Sequence, residues 1–368
     1  MIDQESMFPR SYSEARNRFL DLCQKRYIEV KTLAHADYGS SIAGLETDLV
    51  VLEGSSPKST ILVVSGTHGP ESIVGSACQM DFIHSLGSRK MPSDLRIVIL
   101  HVLNAYGAAN CSRWTEEIVD LNRNFVDFSG SVEELNQKNP RYHEVHAILD
   151  GVSTRADAVE FVSAGKSELD ISFGLKEAMR VLFQGQYSMP AGVSYGGSLA
   201  TVSRRLFEDV VRTYCADLSS LAVIDIHSGL GRFGEGLLLS LTSSPEQKQR
   251  LQDSYADQVV LVNDESFGLP YKVTGDLSCE GVQRIAPDCL LSSIALEYGT
   301  FDEEALLEAV LTDYYLRNVA EDADSGCNLE AKERIMDFFN PRSVEWQESV
   351  LSRWNWVLDR TYRSLGAF

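Results

Sequence analysis

The sequence predicts an α/β fold: a mixed, mostly parallel twisted sheet flanked by helices on both faces, in a single domain covering residues 1–368. Three observations carry this. Short apolar runs rich in β-branched residues, such as Ile61–Val64, suit strands buried on both faces. They alternate with segments whose apolar residues recur at helical spacing. No internal repeat, low-complexity tract or clear linker divides the chain.

Taken in order, residues 11–30 place Ala15, Phe19, Leu22 and Cys23 at helical spacing, which predicts an N-terminal helix packed on the body. Thr47–Glu53 reads as a strand, and Gly54-Ser-Ser-Pro57 as the turn into the strand at Ile61. A helix follows from Ser72, with Ile73, Ala77, Met80 and Ile83 along one stripe. Leu95–Leu103 is the next strand and runs into a long loop that ends in Asp120-Leu-Asn-Arg-Asn-Phe125. Residues 131–150 read as a polar helix, and Leu175–Phe183 as another. The glycine and proline content of 185–197 demands an irregular loop. Leu221–His227, Leu237–Leu241 and Leu290–Leu296 complete the strands, and helical patterns over 329–364 close the chain, the last with Trp346, Val350, Trp354 and Val357 facing the core.

Composition bounds the function. The chain has 368 residues, 44% hydrophobic and 23% charged, as expected of a water-soluble globular protein. A formal charge of −20 argues against nucleic acid or an anionic membrane as partner. The opening residues show no secretory pattern, and no stretch approaches the roughly 18 apolar residues a membrane span needs. Seven scattered cysteines without Cys-x-x-Cys read as reduced thiols, so a cytoplasmic location is expected. Nothing in the sequence fixes the oligomeric state.

Three strand-like runs end in groups able to do chemistry: His68 with Glu71, His227, and Glu297. Open α/β sheets bind ligands at the carboxyl ends of their strands. Two imidazoles and one carboxylate, with water in the fourth position, form the ligand set of hydrolytic zinc sites, so Zn²⁺ is the expected cofactor. His143 and His146 are a competing His-x-x-His pair, but no strand end or glycine turn presents them.

These residues resemble the zinc carboxypeptidase superfamily, including its succinylglutamate desuccinylase and aspartoacylase branch. The resemblance rests on Gly66-Thr-His-Gly-Pro-Glu71, on His227 within Asp-Ile-His-Ser, on Asp120-Leu-Asn-Arg-Asn124, and on Glu297, with a family-like core of about residues 47–320. The glycine-rich loop suggests an uncharacterised bacterial branch. The resemblance implies His68, Glu71 and His227 as metal ligands and Glu297 as catalytic glutamate. It also implies Arg113 as oxyanion donor, Asn122 and Arg123 as grips for a substrate carboxylate, and Asp120 as the acceptor for the second ring N–H of His68. Asp225, two residues before His227, could orient that ligand or pair within the core. Asn104-Ala105 replaces the family's Asn-Pro, which loosens the alignment of Arg113. The family's mobile tyrosine has no secure match; Tyr195 and Tyr271 read as structural. The implied reaction is amide hydrolysis beside a free carboxylate, on small peptides, with N-acyl amino acids as the alternative substrates. A metal-free binding protein on the same fold is the rival from another class.

Overall fold

The structure, a computed structural model, describes residues 7–86, 91–155, 157–262, 273–320 and 326–365. Its strands are β1 (Lys31–Ala34), β2 (Glu46–Glu53), β3 (Ser59–Ser65), β4 (Leu95–His101), β5 (Ser220–Ser228), β6 (Gly236–Ser240), β7 (Val259–Leu261) and β8 (Leu290–Tyr298). They form one sheet in the order β1-β2-β4-β3-β5-β8-β6-β7. The pairs β3–β4, β3–β5, β5–β8 and β6–β7 are parallel. The pairs β1–β2, β2–β4 and β6–β8 are antiparallel. The sheet is therefore mixed and mostly parallel, with the parallel block at its centre, as the buried apolar runs require.

Side-chain alternation divides the core between the two faces. Ile61 and Val63 of β3 join Ile224 and Ile226 of β5 and Ile294 and Leu296 of β8 on one face. That face is covered by the helices Tyr12–Lys25, Ser72–Ser85, Pro245–Tyr255 and Val344–Ser364, the last inserting Trp346, Val350, Trp354 and Val357 as expected. Leu62 and Val64, with Leu221 and Val223, point to the other face, where the helix Val202–Tyr214 lies with Phe125 and Leu277. A third apolar cluster is helical: Tyr142–Gly151, Ala158–Phe173, Leu175–Phe183, Glu303–Asn318 and Gly326–Phe339 pack around Trp114, Phe161 and Tyr315. No helix among the described residues is long and apolar enough to cross a membrane.

Two expectations change. The polar helix over 131–150 is two helices, Val132–Asn136 and Tyr142–Gly151, separated at Pro140, whose ring and missing N–H do not fit a helix interior. The N-terminal helix stops at Lys25 rather than reaching residue 30, because Tyr27 takes a left-handed conformation (φ 56°) that ends the helical path.

Candidate metal centre and active site

At the carboxyl edge of the central strands, β3 delivers the first two groups. Gly66 turns the chain out of the strand at φ +70°, where a Cβ would sit 2.6 Å from Val102 Cγ1. Gly69 then lies against Gly107 so closely that a Cβ would meet its carbonyl carbon at 2.0 Å. This contact locks the His68–Glu71 turn onto the segment after β4. Glu71 occupies the N-cap position of the helix Ser72–Ser85 without capping it, so its carboxylate turns to the imidazoles. His227 and Glu297 are register partners on the adjacent parallel strands β5 and β8.

These groups converge. His68 Nδ1 lies 2.8 Å from Glu71 Oε1, and His227 Nδ1 lies 2.8 Å from Glu71 Oε2. Each outer ring nitrogen faces another carboxylate: His68 Nε2 is 3.1 Å from Asp120 Oδ1, and His227 Nε2 is 2.7 Å from Asp225 Oδ2. Asp225 is itself fixed by a 2.7 Å bond from the Thr67 hydroxyl. Strand periodicity put Asp225 on the face of His227; the structure pairs the two and so settles its placement. The side chains of Thr67, His68, Glu71, Asp120, Asp225 and His227 are buried, and Glu297 is half-buried.

The charge balance of this site is unusual for a protein interior. Glu71, Asp120, Asp225 and Glu297 bring four carboxyl groups into one small region. Burial raises the Glu71 carboxyl, but His68 and His227 outweigh it and hold the group below the usual carboxylate range. Burial likewise opposes ionisation of Asp120, and Arg113, His68 and Arg123 reverse it, leaving that group well below its ordinary value. For His227 burial acts downward, yet Asp225 and then Glu71 drive the imidazole well above its ordinary value. Glu297 is raised to about 7, chiefly by burial and then by the charge of Glu71. An imidazole between two carboxylates can meet both only by carrying two protons or by offering one nitrogen to a cation. The ligand atoms of His68, Glu71 and His227 lie within 4.8 Å of one another. The donor set, the flanking carboxylates and the excess negative charge all fit a zinc ion.

Arg113 reaches the same centre. Its Nε donates to Asp120 Oδ2 at 3.0 Å, and its Nη1 lies 3.5 Å from Glu71 Oε1. The Asn104-Ala105 turn does not loosen this arrangement. Asn104 Oδ1 accepts the Gly107 N–H at 2.9 Å, which starts the helix Ala105–Asn110, and its amide donates to the Arg113 carbonyl at 3.4 Å. The Leu230 N–H donates to Glu297 Oε1 at 3.0 Å, which aims that carboxyl along the edge.

Asn122 and Arg123 line the same cavity, but the chain itself engages them. Asn122 Oδ1 accepts the Leu277 N–H at 2.8 Å. Arg123 is buried, donating from Nε and Nη2 to the Phe183 carbonyl (3.2 and 2.7 Å) and from Nη1 to the Asn122 carbonyl (2.8 Å). The glycine-rich loop is its cradle: a Cβ on Gly185 would sit 2.8 Å from Arg123 Cδ, and Tyr187 Oη donates to the Arg123 carbonyl at 2.7 Å. Tyr195 is buried and its carbonyl accepts the Asp120 N–H at 2.8 Å; Tyr271 lies outside the described residues. His143 is exposed, with Nδ1 2.8 Å from the Pro140 carbonyl, while His146 Nε2 faces Asp150 at 3.6 Å. Among the described residues the only cluster of three potential metal ligands is His68, Glu71 and His227.

The cavity beside these groups measures about 100 Å³. Leu239, Leu241, Val262, Val273 and Ala295 form an apolar wall, with Asp276 and Ser278 next to it. Asp276 directs its carboxylate to the backbone N–H groups of Cys279 (2.7 Å) and Glu280 (3.1 Å).

Comparison with solved structures shows the fold. Thrombin-activatable fibrinolysis inhibitor is 13% identical, with 92% of this chain and 77% of that chain covered at a TM-score of 0.50. Carboxypeptidase A from Helicoverpa armigera is 15% identical over 89% of this chain and 73% of its own, TM-score 0.46. Succinylglutamate desuccinylase from Chromobacterium violaceum is 13% identical over 88% and 74%, TM-score 0.37. The carboxypeptidase-like α/β fold expected from the sequence is therefore the observed one. No curated protein matches the sequence. A family model described as "Protein of unknown function (DUF2817)" matches residues 8–353, nearly the entire chain, and the chain belongs to that family.

Proposed function

We propose that the protein is a zinc-dependent hydrolase that cleaves an amide bond next to a free carboxylate, with short peptides cut from the C-terminus as its substrates. The observation that carries this reading is the placement of His68 and His227, each with Nδ1 on Glu71 and Nε2 on a separate buried carboxylate. Zinc held by His68, Glu71 and His227 would supply a Lewis acid that activates water and polarises the scissile carbonyl. Glu297 takes a proton from the attacking water and returns it to the leaving amine as the C–N bond breaks. One carboxyl group can perform both halves of that exchange in turn. Arg113 stabilises the developing oxyanion, a role in which one donor is worth roughly 10²–10³ in rate.

Arg123 and Asn122 would meet the substrate carboxylate. Arg123 is held in place by the three bonds it makes to backbone carbonyls, and it lines the cavity together with Asn122. N-acyl amino acids present the same amide and carboxylate, so they form the second substrate class for the same groups.

The test is hydrolysis by the zinc-loaded protein of three substrate sets: tripeptides, their C-terminal amides, and N-acyl amino acids. Cleavage of free tripeptides, with the amides poor, supports the carboxypeptidase reading. Cleavage of acyl amino acids alone moves the activity to deacylation. Failure to bind zinc stoichiometrically, with no hydrolysis of any set, overturns both.

A further inference from the structure

Arg113 is fixed in the site from both ends. Its guanidinium bonds to Asp120 and approaches Glu71, but its backbone is held from elsewhere, by a residue far away in sequence. The Arg113 N–H donates to Asp313 Oδ2 at 2.7 Å, and the Ser112 hydroxyl donates to the same oxygen at 3.3 Å. Asp313 lies on the helix Glu303–Asn318, buried in the helical cluster outside the sheet. One turn further along that helix, Arg317 stacks its guanidinium 3.5 Å from the centroid of the Trp114 ring. The helix thus grips three consecutive residues: the Ser112 side chain, the Arg113 main chain and the Trp114 ring. On the other side, Asn104 donates to the Arg113 carbonyl, so both main-chain polar groups of Arg113 have fixed partners.

We propose that Asp313 is a positioning residue for the reaction, setting the direction in which Arg113 enters the site. This rests on the hydrolase reading for its consequence in rate, but not for its geometry. Asp313 accepts the Ser112 hydroxyl and carries the charge opposite the buried Arg317, but its shortest bond, 2.7 Å, falls on the Arg113 main chain, so the place of its carboxylate is tied to that of Arg113. Burial raises the Asp313 carboxyl to about 6, against the Arg113 N–H and the Arg317 charge, which favour its ionised form. Misplacement of a transition-state donor by about 1 Å can cost on the order of 10²-fold in rate. Because Arg113 acts on charge that develops during reaction, the loss should fall on kcat and leave KM nearly unchanged.

The test compares Asp313→Asn, which keeps an acceptor oxygen in place, with Asp313→Ala, which removes it. Asp313→Ala should lower kcat by at least about ten-fold at unchanged zinc content, and Asp313→Asn should restore most of it. In an Arg113→Ala background the same Asp313→Ala change should cost less than about two-fold, since the two act through one group. An independent arm uses nitrogen-15 NMR of the Arg113 Nε–H, whose exchange with water should be slow in the wild type and in Asp313→Asn and at least ten-fold faster in Asp313→Ala. If Asp313→Ala fails to fold, Asp313→Ser, whose hydroxyl is too short to reach, takes its place. Unchanged exchange of the Arg113 Nε–H in the truncated variant overturns the proposal. So does an additive loss of kcat in the double variant. A wild type that hydrolyses nothing would count against the hydrolase reading alone, because the NMR arm reads the positioning directly.

Discussion

Each imidazole of the site lies between two carboxylates, and this makes Glu297 the residue on which the proposed chemistry turns. It shares the edge with His227, accepts one backbone N–H from Leu230, and has its carboxyl raised by desolvation and by the neighbouring charge of Glu71. Glu297→Gln preserves the shape but cannot accept the proton. The expected result is a loss of at least ~10² in kcat with zinc content and melting temperature close to wild type. A zinc-loaded Glu297→Gln that turns over normally would remove Glu297 from the mechanism. Outside the site, His35 and His101 are buried with single hydroxyl partners, Thr47 at 2.9 Å and Ser76 at 2.9 Å, and His101 stacks on Phe19. Burial lowers both imidazoles to about 4, against about 6.5 in the unfolded chain. Above pH 6.5 both states are neutral and nothing is lost. Between pH 6.5 and 4 the unfolded chain binds protons that the folded protein refuses, so stability falls as pH falls, by roughly 3 kcal/mol per histidine across the window. Replacing His101 with Gln should therefore flatten the unfolding free energy against pH by about 1.4 kcal/mol per pH unit in that window. An unchanged slope would mean that His101 protonates in the folded state. The convergence of His68, Glu71, His227 and Glu297 was legible from sequence because each stands at or just after the end of an apolar run. Asp313 was not, because it acts on a backbone group two hundred positions away and leaves no local pattern.

At the scale of elements, the strands that carry the site were legible and the edges were not. Strands β3, β5 and β8 are largely apolar because both faces are covered, and that burial is what the sequence displays. Strand β1, Lys-Thr-Leu-Ala, and strand β7, three residues long, are edge strands whose half-exposed side chains carry no period to read. The loop 185–197 announced irregularity through its glycines, but not its purpose, which becomes visible only where it meets Arg123. Gly275 does the same work from the other side: it holds φ +76°, and a Cβ there would lie 2.3 Å from the Arg123 carbonyl oxygen. Its own carbonyl accepts the Phe125 N–H at 3.1 Å, so the contact cannot relax without breaking that bond. Gly275→Ala combines backbone strain with a steric collision, and the expected destabilisation is about 2–4 kcal/mol. Because the collision falls on Arg123, KM for substrates with a free carboxylate should rise by about ten-fold or more in whatever fraction stays folded. Denaturant unfolding together with steady-state kinetics checks both. A variant with wild-type stability and KM would show that the cradle around Arg123 is dispensable.

Across the whole molecule, the site is a concentration of negative charge placed where the two faces and the helical cluster meet, and the fold must accommodate it with or without a cation. Glu71, Asp120, Asp225 and Glu297 gather at the carboxyl edge of the sheet, where Arg113 reaches Glu71 and Asp120 and Arg123 also favours the charge of Asp120. Without a cation the surrounding carboxylates favour protons: Asp225 and Glu71 hold His227 well above its ordinary value against burial, and burial with Glu71 raises Glu297, whereas zinc would favour the deprotonated forms. The metal-free chain should consequently fold, but less stably. A ligand that binds only the folded state adds about 4 kcal/mol at a thousand-fold excess over its dissociation constant. For a chain of this size that corresponds to a rise of roughly 5–10 °C in melting temperature. Calorimetry of the protein stripped by chelator and then reloaded with zinc should show that rise. The gain should be larger at pH 8 than at pH 6, since fewer protons then compete for the imidazoles. His227→Ala serves as the control: two remaining ligands hold zinc poorly, so its melting temperature should not respond to the metal. A wild-type protein whose melting temperature is the same with and without zinc would mean that protons alone balance the four carboxyl groups. The edge of β3, β5 and β8 would then be a buried proton-sharing network, and the metal would have to be abandoned along with the hydrolysis built on it.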